Sequence, residues 1–359
     1  MNGINKIIKK LKNSPIYTMS LGSKELFHSN FWAWLIEQNN EYAKIFFKDI
    51  DCSNILVERE KNSRDITLTS QKKKYVIENK LKSMPDIDQL IKYTNDVGKS
   101  FNGGVLTGIK KPNFDLPKDW SFVSYKEITE GIETIVNQSN CNEFNKKIIL
   151  QYILDLRNIF ELISEFDSTT GEKFPNGGLN IVKKLSDKSI RLWDICQKYK
   201  VEEFAKKLKK ELQELELLVA KNGFTFFVET GFSHSTSFVD IRFIRDREEE
   251  SEVSIGVQLQ NGQYRKCAVL SGNNSVENVY NVFKSYGWFE EYDTERKIIF
   301  NQESSMTKPY CSFKGGTKVK YYFVDQHDKM VDYSFADLTE RIIKDLTQAI
   351  EIINKNYKK

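Results

Sequence analysis

The sequence predicts a mixed α+β protein in which two α+β units are joined by a helical connector. Three observations support this class: short runs rich in branched residues, amphipathic helical stretches between them, and a Lys/Glu-rich helical tract near the middle. A chain of 359 residues with 40% hydrophobic content can bury a substantial core, which excludes global disorder. The predicted domains are residues 1–141, a connector at 142–222 and a C-terminal α+β domain at 223–359.

The first half of the chain predicts a helix, three strands, a helix and two strands. The first helix covers SLGSKELFHSNFWAWLIEQNNEYAKIFF, where Leu26, Phe31 and Leu35 recur at helical spacing and Ser23 is a suitable cap. Three strands follow at residues 54–60, 65–70 and 74–80. The next helix is IDQLIKYTNDV, because Ser83 and Asp86 resemble a capping box ahead of it. GGVLTGI and WSFVSYKEI then predict strands at residues 103–109 and 120–128.

The second half predicts a helical tract followed by strands and two helices. The helical pattern ends at Asn222-Gly223, a helix-stop signal. FTFFVET, SFVDIRFIRD and VSIGVQLQ-NG-QYRKCAVL predict strands, the last pair joined by an Asn-Gly turn. Helices are predicted for SVENVYNVFKSYG and for the C-terminal SFADLTERIIKDLTQAIEIINKN.

Charge and cysteine usage narrow the class of protein. The 54 basic and 50 acidic side chains give a formal charge of +4, which permits nucleic-acid contact without implying it. The five cysteines form no CxxC pair, so neither a zinc site nor a disulfide framework is indicated. No apolar segment reaches signal-peptide character or the roughly 18 residues of a membrane span. We therefore expect a cytoplasmic protein without a membrane partner.

An acidic pair is predicted across the second and third strands. A two-residue turn at Gln71-Lys72 places Asp65 opposite Glu78, with Cβ atoms about 4.5–5.5 Å apart. Because side chains alternate along a strand, Lys80 shares their face, while the opposite face takes the apolar set Ile66, Leu68, Tyr75 and Ile77. Facing like charges destabilise a sheet, so they require a cation, and Mg²⁺ or Mn²⁺ suits carboxylate oxygen. A surface ion pair of Glu78 with Lys80 is the other interpretation, but it leaves the opposed acid unexplained.

These residues resemble the PD-(D/E)XK nuclease superfamily. Asp65 precedes ENK (residues 78–80) at a strand end, and the next helix carries Gln89 and Tyr93 in QLIKY, which is similar to the QxxxY element of RecB-like exonucleases. ELFHSNFWAWLIE also resembles the first helix of one bacterial subfamily, with Glu25 at the acidic position. The resemblance implies a restriction-endonuclease-like αβββαβ core over roughly residues 20–130, in agreement with the predicted element order.

The resemblance also implies a role for each matching residue. Asp65 and Glu78 would ligate Mg²⁺ or Mn²⁺, with the backbone carbonyl of Asn79 as a further ligand. Lys80 would position the attacking water and contact the scissile phosphate, and Glu25 would support that water.

The helical matches have two interpretations each. Gln89 and Tyr93 lie four residues apart on one helical face, where they would hold the substrate or the Lys80 geometry. His28, three residues after Glu25, would reach the metal site or a phosphate, or would be a partly buried histidine of an amphipathic helix. Arg64 replaces the proline of the family name, which leaves the branch and the choice of endonuclease or exonuclease open.

The sequence therefore predicts a metal-dependent nuclease that hydrolyses phosphodiester bonds, with DNA favoured over RNA. The resembling family acts in restriction, repair and phage defence. Two alternatives from other classes are a catalytically inactive nucleic-acid-binding or regulatory protein on the same fold, and a scaffold protein with incidental charges. A homo-oligomer is compatible with either alternative and with the nuclease.

One weak internal similarity links the two halves. DIRFIRD and SIGVQLQ resemble DITLTS and YVIENK, with Gln258 and Gln260 at the positions of Glu78 and Lys80. We favour coincidence between two ordinary hairpins as the explanation of this similarity. A common origin would make the second hairpin a copy without the chemistry.

Overall fold

The computed structural model describes residues 2–20, 24–112, 114–170, 184–221, 224–233, 236–247, 251–260, 263–271, 282–283, 285–288, 319–326 and 334–356. The chain forms two compact units, and the predicted mixed α+β class is confirmed. The first unit contains residues up to Thr169 and Lys184–Cys196, and the second contains the described residues from Gln197 onward. None of the described helices is long and apolar enough to span a membrane.

The first unit consists of a five-stranded mixed sheet with helices. Its helices are α1 (Asn2–Lys12), α2 (Pro15–Ser20), α3 (Lys24–Gln38), a 3₁₀ helix (Asn40–Ile45), α4 (Ile87–Val97), α5 (Tyr125–Gln138) and α6 (Glu143–Thr170). Its strands are β1 (Leu56–Lys61), β2 (Arg64–Ser70), β3 (Lys73–Asn79), β4 (Phe101–Gly108) and β5 (Trp120–Ser124). The strands lie in chain order across the sheet, antiparallel from β1 to β3 and parallel from β3 to β5.

The hairpin of β2 and β3 has the predicted register. Ser70 pairs with Lys73, and the pairing continues to Ile66 with Ile77. The turn residues Gln71 and Lys72 have φ of 47° and 67°, as a two-residue hairpin turn with left-handed backbone requires. The register prediction is therefore confirmed, although neither turn residue is the glycine or asparagine that favours this conformation.

The first unit packs apolar side chains on both faces of its sheet. One face carries Ile66, Leu68 and Ile77, each 0% exposed, on the side of α3. The other face packs against α4 through the cluster Val76, Leu90, Tyr93, Leu106 and Trp120. Both faces of β3 are consequently buried, which explains why its run of branched residues is nearly continuous.

Several element boundaries differ from the prediction. The first helix ends at Gln38 rather than near residue 47, because Asn39 is extended and caps the following 3₁₀ helix. The predicted strand WSFVSYKEI turns into α5 after Ser124, which forms a capping box with Glu127. Asp86 caps α4 through the N–H of Asp88, in place of the predicted box with Ser83. The predicted cap Ser23 lies outside the described residues.

The second unit contains a fully antiparallel five-stranded sheet. Its strands are β6 (Thr225–Ser233), β7 (Thr236–Arg247), β8 (Ser251–Gln260), β9 (Gln263–Ser271) and β10 (Val319–Gln326), in the spatial order β10-β9-β8-β7-β6. Its helices are α8 (Gln213–Ala220) and α9 (Phe335–Asn356), and α7 (Trp193–Glu211) runs from the first unit into the second. The sequence did not predict β10. The predicted helix at residues 275–287 lies largely outside the described residues, and so do the Asn222-Gly223 and Asn261-Gly262 signals.

The predicted connector does not form a separate body among the described residues. Its first helix, α6, belongs to the first unit, whereas most of α7 and all of α8 belong to the second. Leu208 of α7, Leu215 of α8 and Leu212 between the two helices join the same core as Val257 of the sheet. The hydrophobic faces of the connector helices are thus divided between the two cores.

Candidate active site

Two carboxylates oppose each other where β2 begins and β3 ends. Asp65 and Glu78 are the residues that flank the register pair Ile66–Ile77. Glu78 is 3% exposed, and its Oε2 finds no hydrogen-bond partner among the described residues. Asp65 Oδ2 accepts a 2.6 Å hydrogen bond from the backbone N–H of Asn79. The hairpin therefore holds two acids together, one of them with an unsatisfied buried oxygen.

The protonation of this pair reflects its burial. Burial and, after it, the nearby Glu78 charge raise the pKa of Asp65 to about 7, although the Asn79 N–H bond and Lys80 act in the opposite direction. Burial also raises the pKa of Glu78, although Lys80 acts in the opposite direction. The excess negative charge at this position is therefore only partly compensated by the protein.

Lys80 lies on the same face as the acids, as predicted from strand alternation. Its Nζ is 2.9 Å from Glu78 Oε1, and both side chains are largely buried. Its backbone N–H donates to the carbonyl of Thr107 in β4 at 3.0 Å. Lys80 thus provides one positive charge beside two carboxylates, held at the end of β3 by the parallel strand.

Asn79 points to the opposite face of the sheet and ties the strand end to three other elements. Its Nδ2 donates to the Glu25 carbonyl at 2.9 Å and to Ser29 Oγ at 3.2 Å. Its Oδ1 accepts from Tyr125 Oη at 2.7 Å and from Thr107 Oγ1 at 3.2 Å. The buried side-chain amide uses all its hydrogen-bonding capacity, so it positions the strand end that carries the acids. The predicted metal ligand was another group of this residue, its backbone carbonyl.

Replacement of Asn79 by leucine is expected to destabilise the protein by roughly 2–4 kcal/mol, because buried donors and acceptors on α3, β4 and α5 lose their partner. Urea unfolding followed by circular dichroism measures this difference. Asn102→Ala is the matched control, since the side-chain amide of that exposed asparagine donates to Tyr75 Oη at 3.0 Å. An Asn79→Leu variant as stable as the control would contradict this account of the network.

The Glu25 carboxylate forms hydrogen bonds with the segment that follows β3. Its Oε1 accepts from the backbone N–H groups of Lys82 and Ser83 at 2.6 and 2.7 Å, and Ser83 Oγ donates to both carboxylate oxygens. Its negative charge also raises the pKa of Glu78. The structure thus places this predicted residue beside the acids, with its oxygens engaged by a loop.

Gln89 and Tyr93 lie on the α4 side, which is the face of the acids. Gln89 Nε2 donates to Tyr93 Oη at 2.5 Å, and the phenol donates to the carbonyl of Ser63 in the β1–β2 turn. Burial raises the pKa of Tyr93 to about 12, and the charge of Glu78 contributes to this shift. The QxxxY pair therefore links α4 to the turn that precedes Asp65.

The structure does not bring His28 to the carboxylates. Its side chain is 3% exposed, its Nδ1 lies 2.8 Å from Tyr152 Oη on α6, and its ring meets Tyr125 edge-on at 5.4 Å. Those contacts lie on the α3 side of the sheet, opposite Glu78. Of the two interpretations of His28, the structure matches the buried histidine rather than the substrate contact.

Three residues that matter to the site were not predicted. Ser83 holds Glu25 rather than capping α4, and Tyr125 binds the Asn79 amide. Arg64, noted only as a departure from the family pattern, is 4% exposed and lies on the α4 side. The Ser-x-x-Glu capping box at residues 124–127 was a usable signal for α5, and hence for Tyr125.

A divalent cation fits the donor set of this hairpin. Among the described residues, no group of three or more His, Cys, Asp or Glu side chains is arranged around a metal position. Mg²⁺ commonly uses only one or two carboxylates and completes its shell with water and substrate phosphate. The orphan Glu78 Oε2 and the raised pKa of Asp65 are the features that a cation would relieve. Asp65 and Glu78 are therefore the residues that would hold it.

Comparison with known proteins adds no assignment: no protein-family model, curated protein or solved structure matches this chain. The function is therefore inferred from the chemistry of the site itself.

Proposed function

We propose that this protein is a metal-dependent nuclease of the PD-(D/E)XK type that hydrolyses phosphodiester bonds, with DNA as the favoured substrate. One observation carries the proposal: Asp65, Glu78 and Lys80 share one face at a strand end, and a buried Glu78 oxygen lacks a partner among the described residues. This combination costs stability, which a purely structural site would avoid.

The order of elements supports the same proposal. Helix α3 is followed by the β1–β2–β3 meander, then by α4 and by β4 parallel to β3. This is the αβββαβ order of the restriction-endonuclease-like core. The acids lie beside the crossover to α4, where the carboxyl ends of the parallel strands β3 and β4 meet. Substrates bind at such ends in many open sheets.

The second unit provides an internal comparison. Asp240 of β7 pairs directly with Gln258 of β8, and Gln258 Nε2 donates to Asp240 Oδ1 at 2.8 Å. The resembling hairpin thus places a neutral amide opposite its acid, and Arg242 Nη2 lies 3.6 Å from Asp240 Oδ2. An opposed second acid is therefore not a requirement of such a hairpin, which favours a functional reason for Glu78.

Each residue has a role in the proposed reaction. Asp65 and Glu78 would hold Mg²⁺ or Mn²⁺, which supplies charge stabilisation at the phosphoryl group and lowers the pKa of a water when bound. Lys80 would orient the attacking water and contact the scissile phosphate. Asn79 and Glu25 fix the strand end and the following loop, so that the reactive groups are held before substrate binds.

Cleavage assays test the proposal directly. Linear, circular and single-stranded DNA and RNA are incubated with wild type and with Lys80→Ala, in Mg²⁺, Mn²⁺ or EDTA. We expect metal-dependent cleavage that falls by about 10²-fold or more in Lys80→Ala. Exposed Lys126→Ala is the matched control, since Lys126 forms a 3.9 Å surface pair with Glu130.

The alternative outcome is also informative. Nucleic-acid binding without cleavage in any metal would favour an inactive binding protein on the same fold. Cleavage that persists in EDTA, or a Lys80→Ala variant as active as wild type, would contradict the proposed mechanism.

A further inference from the structure

Arg64 carries a buried charge without full hydrogen bonding. The residue is 4% exposed, and its Nε donates to Thr67 Oγ1 at 3.2 Å. Its Nη1 is buried and finds no acceptor among the described residues. A guanidinium cannot release its proton in a protein, so the charge persists despite the cost of desolvation. An unsatisfied buried arginine calls for an anionic partner.

The guanidinium lies on the same side of the sheet as the acids. Thr67, which it contacts, shares its face with Asp65 because the two are separated by one residue along β2. Tyr93 on α4 agrees with this placement: burial raises its pKa most, the charges of Glu78 and Asp65 raise it as well, and the charge of Arg64 acts in the opposite direction. The tyrosine thus lies within electrostatic reach of all three charges.

Two unpaired atoms of this region are complementary in charge. Within the part of the chain that the structure describes, Glu78 Oε2 is an acceptor without a donor and Arg64 Nη1 is a donor without an acceptor. A bound cation would satisfy Glu78 Oε2, and a bound anion would satisfy Arg64 Nη1. Since the arginine fork matches phosphate oxygens in geometry, a phosphodiester backbone is the anion that suits a nuclease site.

We propose that Arg64 binds a backbone phosphate of the nucleic acid that flanks the scissile one, and is a substrate-binding residue of this site. The identity of the anion rests on the proposed nuclease function. The fixed Nε–Thr67 bond orients the fork, and the adjacent link from Tyr93 to the Ser63 carbonyl holds the turn that carries it.

Binding measured without catalysis tests this inference. Fluorescence anisotropy of a labelled DNA oligonucleotide in EDTA, at several NaCl concentrations, compares wild type with Arg64→Met and Arg64→Lys. We expect Arg64→Met to weaken binding about 10-fold and to reduce the salt slope by about 1. Arg64→Lys should keep the slope and recover part of the affinity, because it retains charge but loses the fork. Arg59→Met is the control, since Arg59 forms a surface pair with Glu37.

Oligonucleotides with a neutral methylphosphonate in place of one phosphate distinguish loss of the Arg64–phosphate contact from loss of folding. A series of oligonucleotides, each with one methylphosphonate, should contain a position that weakens wild type about 10-fold and leaves Arg64→Met unaffected. Folding of each variant is checked by circular dichroism. If Arg64→Met does not fold, the binding of the same oligonucleotide series is compared between wild type and Arg64→Lys. Unchanged affinity and slope in folded Arg64→Met, or a wild type insensitive to every methylphosphonate, would overturn the inference.

The outcome is distinguishable from that of the nuclease proposal. Arg64-dependent binding without cleavage would reject the nuclease and keep the phosphate contact. Metal-dependent cleavage with Arg64-independent binding would reject the contact alone.

Discussion

Asp65→Asn should lose cleavage activity by about 10³-fold or more, because a neutral amide is a poor ligand for a divalent cation. The geometry around it should survive, since the asparagine Oδ1 can still accept the Asn79 N–H bond that Asp65 accepts at 2.6 Å. Steady-state cleavage at saturating Mg²⁺ or Mn²⁺ measures the loss. Asp96→Asn on the exposed side of α4 is the matched control and should retain wild-type activity.

The same substitution should stabilise the metal-free protein at neutral pH. Burial and the Glu78 charge raise the pKa of Asp65 to about 7 from 3.8, so the folded state binds the proton more tightly than the unfolded chain. Stability therefore falls as pH rises from about 4 to 7, by roughly 1–3 kcal/mol in total. Asp65→Asn should remove most of this decline.

Urea midpoints from pH 4 to 8 in EDTA measure that effect. In separate samples without EDTA, Mn²⁺ should raise the wild-type midpoint at pH 7 and leave the Asp65→Asn midpoint unchanged. A variant that loses both activity and stability at every pH would instead indicate that Asp65 only supports the fold.

Asp345→Ala should destabilise the second unit by about 3–5 kcal/mol, because it leaves a buried lysine without its counter-charge. Asp345 is 0% exposed, accepts from Tyr264 Oη at 2.6 Å and lies 3.5 Å from Lys266 Nζ. Lys266 is 2% exposed and also donates to the Trp288 carbonyl at 2.8 Å. Urea unfolding followed by Trp288 fluorescence, with the other tryptophans replaced by phenylalanine, reports on this unit.

Two further measurements distinguish the contribution of the Lys266 charge to stability from that of side-chain packing. Burial lowers the pKa of Lys266 to about 8 from 10.5, so the unfolded chain binds this proton more tightly and stability should rise with pH between these values. The double variant Lys266→Met/Asp345→Asn should abolish that rise and cost less than Asp345→Ala, since it removes both charges and keeps the volume. Exposed Glu351→Ala on α9 serves as control. A defect in Asp345→Ala no larger than that of the control would refute the buried-pair account.

The sequence was most informative where the pattern is local. The runs rich in branched residues at 65–70 and 74–80 predicted the strands, and the short turn predicted their register. Helix ends were less accurate, because single side chains decide them: Asn39 ended α3, and Ser124 started α5. Strand β10 pairs with a distant partner, β9, so its local pattern carries little information about it.

The candidate site was predictable only in its charged part. Asp65, Glu78 and Lys80 are related by strand alternation, which a sequence displays. The supporting contacts of Asn79 join residues separated by 46 and 54 positions, to Tyr125 and to Glu25. No periodicity encodes such contacts. His28 shows the reverse case, where a shared helical periodicity suggested proximity to the site although the residue faces α6.

The span of those contacts along the chain also bears on the order of folding. Asp65 and Asn79 are 14 positions apart within one hairpin, whereas Asn79 reaches Thr107 and Tyr125 only after β4 and α5 have joined the sheet. Closing a short loop costs less entropy than closing a long one, so local hairpins form before parallel pairings. During folding, the hairpin therefore brings the two acids together early. The hydrogen bonds of Asn79 to β4 and α5, which offset the repulsion between the acids, form later. We expect this delay to slow the folding of the first unit, and acid pH, which protonates the pair, to shorten it.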